Sequence, residues 1–256
     1  MSGRKICAVF CFALLLVGVY WEGRVYESVW KNSEQNVVDV SGQQVEVEKK
    51  IAYLTFDDGP SILTPKVLEI LEKENVRATF FLIGSQITQE EEELLNEMVT
   101  RGHLLGVHTY SHKSDEIYSS VEAYVKDANK TAARIYEVTG IRPTIYRFPW
   151  GSVNCYVSGI CSDVIEEMKA EGYEYYDWNV SAEDSVGKPT KASILKNIKK
   201  DFGKYNEPVI LMHDSAVNKA TVEALPEIIK MLKEEGYSFG TLDERREVCH
   251  YSRNTK

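Results

Sequence analysis

A chain of 256 residues that is 43% hydrophobic and 27% charged has the composition of a globular protein and the length of one large domain. Its formal net charge of -9 and pI near 5.2 exclude a nucleic-acid backbone as the main partner, because that binding depends on clustered Lys and Arg. A neutral or polymeric substrate suits it better.

Arg4 and Lys5 precede an apolar run over residues 6–21, and polar Glu22-Gly23-Arg24 follow. The run is shorter than the roughly 20 residues of a spanning helix, which favours a cleaved signal peptide. No small-x-small cleavage site follows it, however, so the balance tips to an uncleaved anchor over residues 1–24, positive end inside the cell. That places the rest of the chain outside a cell membrane on a single pass, or secreted if the segment is cut. Residues 25–49 are polar without a sustained period and read as a spacer. Residues 50–245 form the expected catalytic domain and residues 246–256 a C-terminal tail. Of the five cysteines, Cys7 and Cys11 fall in the apolar run, Cys155 and Cys161 could close a disulfide in an oxidising compartment, and Cys249 is left over.

From Ile51 onward, short apolar runs alternate with longer amphipathic segments, the pattern of β-α units on a parallel sheet. Strands are predicted over residues 51–56, 78–83, 104–108, 144–148, 174–178, 209–212 and 238–241. Helices are predicted over 65–73, 89–101, 121–139, 162–171, 191–202 and 221–235. The first has Thr64 as N-cap, Pro65 at its first position and Val67, Leu68 and Leu71 on one face. Gly102, Gly140, Gly172 and Gly236 close four of them. Periodicity alone leaves an open doubly wound sheet and a closed barrel equally possible. Both gather working residues at the carboxyl ends of their strands.

Polar clusters fall at those ends. The first strand runs into Asp57-Asp58, the third into His108-Thr109-Tyr110-Ser111-His112, the fourth into Arg147-Phe148-Pro149-Trp150-Gly151 and the sixth into His213-Asp214. His108 and His112, four apart, can reach one divalent ion with Asp58 as third ligand, leaving positions open for water and substrate. Asp57 is then the general base, Arg147 the ion-pair partner that orients it, and His213 the acid that protonates a leaving group. Trp150 and Leu211 are candidates to shape a small apolar substrate pocket, with the Trp150 N–H near a developing oxyanion.

Together with Tyr53-Leu54-Thr55-Phe56-Asp57-Asp58-Gly59-Pro60 and Ala78-Thr79-Phe80-Phe81-Leu82-Ile83-Gly84, these motifs resemble those of the polysaccharide deacetylase family, carbohydrate esterase family 4, over roughly residues 50–244. The resemblance implies a distorted (β/α) barrel of about seven parallel strands with outer helices. It also implies removal of acetyl groups from a sugar polymer, with zinc or another divalent metal held by Asp58, His108 and His112. The roles it assigns to Asp57, Arg147 and His213 agree with those argued above. Many members carry an Asp that steadies the acid histidine, and an Asp-Trp pair three residues on; the matching positions here are Ser181, Asp184 and Ser185. Asp184 is thus counted among the substrate-pocket candidates, or orients His213, and Trp178 is the alternative for filling the pocket. The expected activity is N-deacetylation of N-acetylglucosamine in a surface glycan, most naturally peptidoglycan. Against it stand a non-catalytic glycan binder and an O-acetyl esterase acting on xylan or another polymer.

Overall fold

The computed structural model describes residues 37–38, 44–45 and 49–252. The expected anchor lies outside the described residues, and among those described no helix is long and apolar enough to cross a membrane. Within the expected spacer, β1 (Val37–Val38) pairs antiparallel with β2 (Gln44–Val45). Residues Lys49–Lys256 form a separate compact unit.

That unit is built on β3 (Ile51–Gly59), whose nine residues are almost wholly buried. The other strands are β4 (Thr79–Leu82), β5 (Leu104–Val107), β6 (Ile145–Tyr146), β7 (Glu174–Tyr175), β8 (Val180–Ser181), β9 (Val209–His213) and β10 (Ser238–Phe239). They form an eight-stranded sheet in the order β7-β6-β5-β4-β3-β9-β8, with β10 paired to the start of β3, and every pairing is parallel. The sheet curls into the expected distorted barrel. It stays open between β7 and β8, which are consecutive in the chain and joined only by residues 176–179.

Because successive strand residues point to opposite faces, the strands divide their side chains between two cores. Leu54, Phe56, Phe80, Leu82, Tyr146, Ile210 and Met212 pack outward under the helices. Tyr53, Phe81, Ile145, Tyr176 and Val209 pack inward. Thr55, Asp57, Leu211 and His213 follow the inward parity, so the curl carries polar groups towards its own axis.

The helices are α1 (Thr64–Glu74), α2 (Glu92–Thr100), α3 (Ser114–Ile117), α4 (Val121–Thr139), α5 (Cys161–Ala170), α6 (Lys191–Asp201) and α7 (Lys219–Glu234). The predicted 121–139 helix is observed without change, capped by Ser120 Oγ on the Ala123 N–H and ended by Gly140 at φ 70°. Thr64 is not the N-cap of α1. It is the first helical residue, and its hydroxyl is drawn inward instead, accepting from Ser61 N and donating to Asp214 Oδ2.

β8 escaped the sequence reading because two residues flanked by Asn179 and Ala182 carry no periodicity. The predicted 174–178 strand stops at Tyr175, where the sheet opens. Cys155 is exposed, whereas Cys161 is buried at the start of α5 with its thiol against the Ser152 carbonyl, and the two are not bridged. Residues 249–251, expected to trail as part of a tail, fold back on β7: the His250 ring stacks on Tyr175 with centroids 3.6 Å apart.

Candidate active site

At the carboxyl end of β3 the register places Asp57 directly beside His213 of β9 on one side and Phe81 of β4 on the other. The ladder shifts between Asp57 and Gly59, and Asp58 takes φ 71°, so the two neighbouring carboxylates leave the strand in different directions. Thr109, His112 and Trp150 also have positive φ, at 64°, 52° and 63°. Such conformations each cost on the order of 1–3 kcal/mol in a non-glycine residue and cluster at functional sites. Gly59 is required for another reason. A Cβ there would lie 2.6 Å from Asp214 Oδ2. The Asp214 carboxyl is fully buried, which raises its pKa to about 7.

Asp58 Oδ1 lies 3.4 Å from His108 Nε2 and 3.3 Å from His112 Nε2, and it is buried with no hydrogen-bond partner. The His108 Nδ1–H donates to the Arg147 carbonyl at 3.0 Å, which leaves Nε2 with its lone pair towards Asp58. Burial, then the charge of His108, pushes the His112 pKa down to about 4, so this ring is neutral and able to ligate. Burial would raise the pKa of Asp58, but His108, His112 and His213 outweigh it and hold the carboxylate well below the usual range.

Two imidazole nitrogens and a carboxylate oxygen this close need a proton or a metal cation between them. Bonds of roughly 2.0–2.1 Å at a tetrahedral ion set donor atoms about 3.4 Å apart. Asp58, His108 and His112 therefore fit a divalent metal, and they are the metal-ligand cluster found among the described residues.

Asp57 is buried and accepts from Arg147 Nη1 at 2.8 Å. The Arg147 guanidinium has no exposed surface and spends its donors on protein acceptors. Nη1 also reaches Thr55 Oγ1 at 2.8 Å, Nε the Tyr176 carbonyl at 2.9 Å and Nη2 the Asp177 carbonyl at 3.1 Å. It lies over the Phe81 ring at 4.2 Å and the Trp178 ring at 5.6 Å, an arrangement suited to a planar cation and not to lysine.

Asp184 corrects the pocket assignment. Its carboxylate faces protein, with Oδ1 2.8 Å from His213 Nδ1, and Oδ2 accepting from the His213 N–H at 2.8 Å and from Thr221 Oγ1 at 2.6 Å. It orients His213 and has no oxygen left for substrate. Burial alone would lower the His213 pKa, but the hydrogen bond and charge of Asp184, joined by Asp57 and Asp58, outweigh it and raise it to about 9.

This has a measurable consequence. In the general-acid role expected of His213 the ring must carry its proton, so on that expectation kcat/KM should fall as pH rises through its pKa. A cation held nearby draws that value down, and the Asp184 contact opposes it. A hydrogen bond to a charged group is worth about 1.5–3 kcal/mol, or roughly one to two pH units. Asp184→Asn should thus move the alkaline limb one to two units towards acid; an unmoved limb in the pH profile would separate His213 from the acid role.

Trp150 is about half exposed and stands at the rim, its ring 4.8 Å from that of His112 and 5.3 Å from that of Tyr156. Leu211 is buried on the inward face of β9, two residues before His213. Thr55, which receives Arg147, was legible only as part of the strand.

Three kinds of comparison agree with this geometry. The profile of a family described as polysaccharide deacetylase matches residues 44–176. The chain is 32% identical over 229 residues to a peptidoglycan-N-acetylglucosamine deacetylase of Bacillus cereus, covering 82% of this chain and 81% of that one. It is 36% identical over 206 residues to such an enzyme of Listeria monocytogenes, covering 78% of this chain but only 40% of the longer relative. Among solved structures, the catalytic domain of a peptidoglycan N-acetylglucosamine deacetylase from Eubacterium rectale superposes with a TM-score of 0.74 at 33% identity, over 84% of this chain and 99% of that one.

Proposed function

This chain belongs to the polysaccharide deacetylase family, and from that premise we propose that it is a metal-dependent hydrolase removing N-acetyl groups from N-acetylglucosamine residues of peptidoglycan. The observation that carries the reading is the meeting of His108 and His112 Nε2 on one unpartnered oxygen of Asp58, beside the Asp57–Arg147 pair and next to His213.

Asp58, His108 and His112 would hold the ion, zinc in the usual case. When bound, it would supply Lewis acidity towards the acetyl carbonyl and make water a better acid. Asp57 takes the proton from water as oxygen attacks the carbonyl carbon, and Arg147 keeps the receiving carboxylate oxygens aimed at the cleft. His213, held through Nδ1 by Asp184, can present only Nε2 to the cleft; it gives its proton to the departing nitrogen as the C–N bond breaks. The products are acetate and a glycan amine. Ser181 and Ser185 depart from the family pattern, but Asp184 still supplies the carboxylate on the acid histidine, which removes the motive for a non-catalytic binder.

The choice of polymer is supported by the relatives' substrates and by a cavity of about 590 Å³ lined by both sequence neighbours of His112, Ser111 and Lys113, and by Glu116, Lys126, Asp127 and Lys130 among others. Lys130 lies over the Tyr110 ring at 3.5 Å, and both Asp127 oxygens are occupied by backbone N–H groups of Tyr110 and Ser111. The lining carries three lysines against Glu116, which pairs with Lys113 at 2.9 Å, and Asp127. This small positive excess suits a polymer bearing carboxylates, as the peptide stems of a cell wall do, better than neutral chitin or xylan. Acetate release should be fastest on isolated peptidoglycan at low salt, and its advantage over chitooligosaccharides should shrink as salt screens exposed charges. Preference for acetylated xylan in the same panel would overturn the N-deacetylase reading. Residues 6–21 support a location at or beyond a cell membrane, where this substrate is found; the mass of the mature protein tells anchor from cleaved signal.

A further inference from the structure

The groups that hold Arg147 are themselves held by the end of the chain. Both carbonyls that accept from Arg147, those of Tyr176 and Asp177, belong to the short link between β7 and β8. This link lies where the barrel is open. Its ends still reach neighbouring strands, the Tyr176 N–H donating to the Tyr146 carbonyl at 3.0 Å and the Asn179 N–H to the Val209 carbonyl at 3.2 Å, but Asp177 between them has no strand beside it. Residues 249–251 take the place of the missing strand. The Asp177 N–H donates to the Cys249 carbonyl at 2.7 Å, and His250 Nε2 donates to the Tyr175 carbonyl at 2.8 Å.

Asp177 ties the arrangement together. Its side chain is completely buried without a cationic partner among the described ion pairs, which is costly unless every oxygen is satisfied. Here Oδ1 accepts from the Ser152 N–H at 2.9 Å, and Oδ2 accepts from Ser152 Oγ at 2.6 Å and from the Tyr251 N–H at 2.9 Å. One carboxylate therefore joins the C-terminal segment, the turn that follows Trp150, and the seat of the arginine that orients Asp57.

We infer that Asp177 is a positioning residue for deacetylation, and that the backbone of residues 249–251 is part of the catalytic framework, acting through Asp177 on Arg147. This rests on the function proposed above. Asparagine at 177 offers one oxygen and one NH2 group to two backbone N–H donors, so one of them loses its acceptor and the seat loosens. Misplacement by about 1 Å can cost on the order of 100-fold in rate.

The test uses the full chain with Asp177→Asn, Tyr251→Pro and Tyr251→Ala. Proline removes the Tyr251 N–H, whereas alanine keeps it and removes only the ring. Asp177→Asn and Tyr251→Pro should lower kcat roughly 10- to 100-fold with KM within about twofold, and Tyr251→Ala should stay within about threefold of wild type. Hydrogen exchange at Arg147 Nε, followed by NMR in labelled protein, should quicken in the first two and not in the third. That readout needs no turnover, so it still judges the seat if the wild type releases no acetate, an outcome that would fault the proposed function instead. Should Asp177→Asn fail to fold, Tyr251→Pro decides. Wild-type exchange in Tyr251→Pro overturns the inference, as does an equal loss in Tyr251→Ala, which would assign the effect to the ring packed on Trp178.

Discussion

Asp57→Asn should lower kcat for acetate release by about 1,000-fold, within the range of 100- to 10,000-fold that a general base contributes, while KM changes little. Asparagine is nearly isosteric and its Oδ1 can still accept from Arg147 Nη1, so the 2.8 Å contact survives while the proton acceptor is lost. The exchange does leave a fully buried guanidinium without its counter-charge, and removing one partner of a buried pair can cost about 3–5 kcal/mol. Three neutral acceptors remain on Arg147, at Thr55, Tyr176 and Asp177, which should keep the loss towards the lower end. Denaturant unfolding read alongside kinetics separates the two effects. A folded variant that retains more than about a tenth of wild-type kcat would show that another group takes the proton.

The features legible in the sequence were those that a parallel sheet imposes. Apolar runs such as 51–56 and 209–212 announce buried strands, and a parallel sheet brings all their carboxyl ends to one side, so Asp57, His108, Arg147 and His213 could be grouped before any geometry was known. The metal-ligand spacing of His108 and His112 is local and could be read directly. Contacts made by irregular backbone left no such trace. Asp184 lies in the loop after β8, where no periodicity fixes which acid faces inward, and its partners His213 and Thr221 are 29 and 37 residues away. Asp177 precedes Trp178 in what reads as a continuous strand, so nothing signals that the sheet stops at Tyr175 and turns this carboxylate towards Ser152 and Tyr251. Thr64 has the residue type and place of an N-cap, but the buried Asp214 carboxyl competes for its hydroxyl and takes it.

Removing the divalent ion should have the largest effect of all. Dialysis against a chelator is expected to reduce acetate release at least 1,000-fold, since the ion's Lewis acidity is worth several kcal/mol to the reaction, and stoichiometric zinc should restore it. The same site can be tested without substrate. A ligand that binds only the folded state stabilises it by about 4.1 kcal/mol at 1,000 times its dissociation constant, so zinc should raise the melting temperature of the stripped protein. His108→Ala deletes a ligand and also the buried hydrogen bond from Nδ1 to the Arg147 carbonyl. It should therefore unfold somewhat earlier than stripped wild type, respond to zinc far less and release little acetate. A zinc-induced shift of wild-type size in His108→Ala would mean that the ion binds elsewhere, and the three side chains would then lose their claim to a common metal.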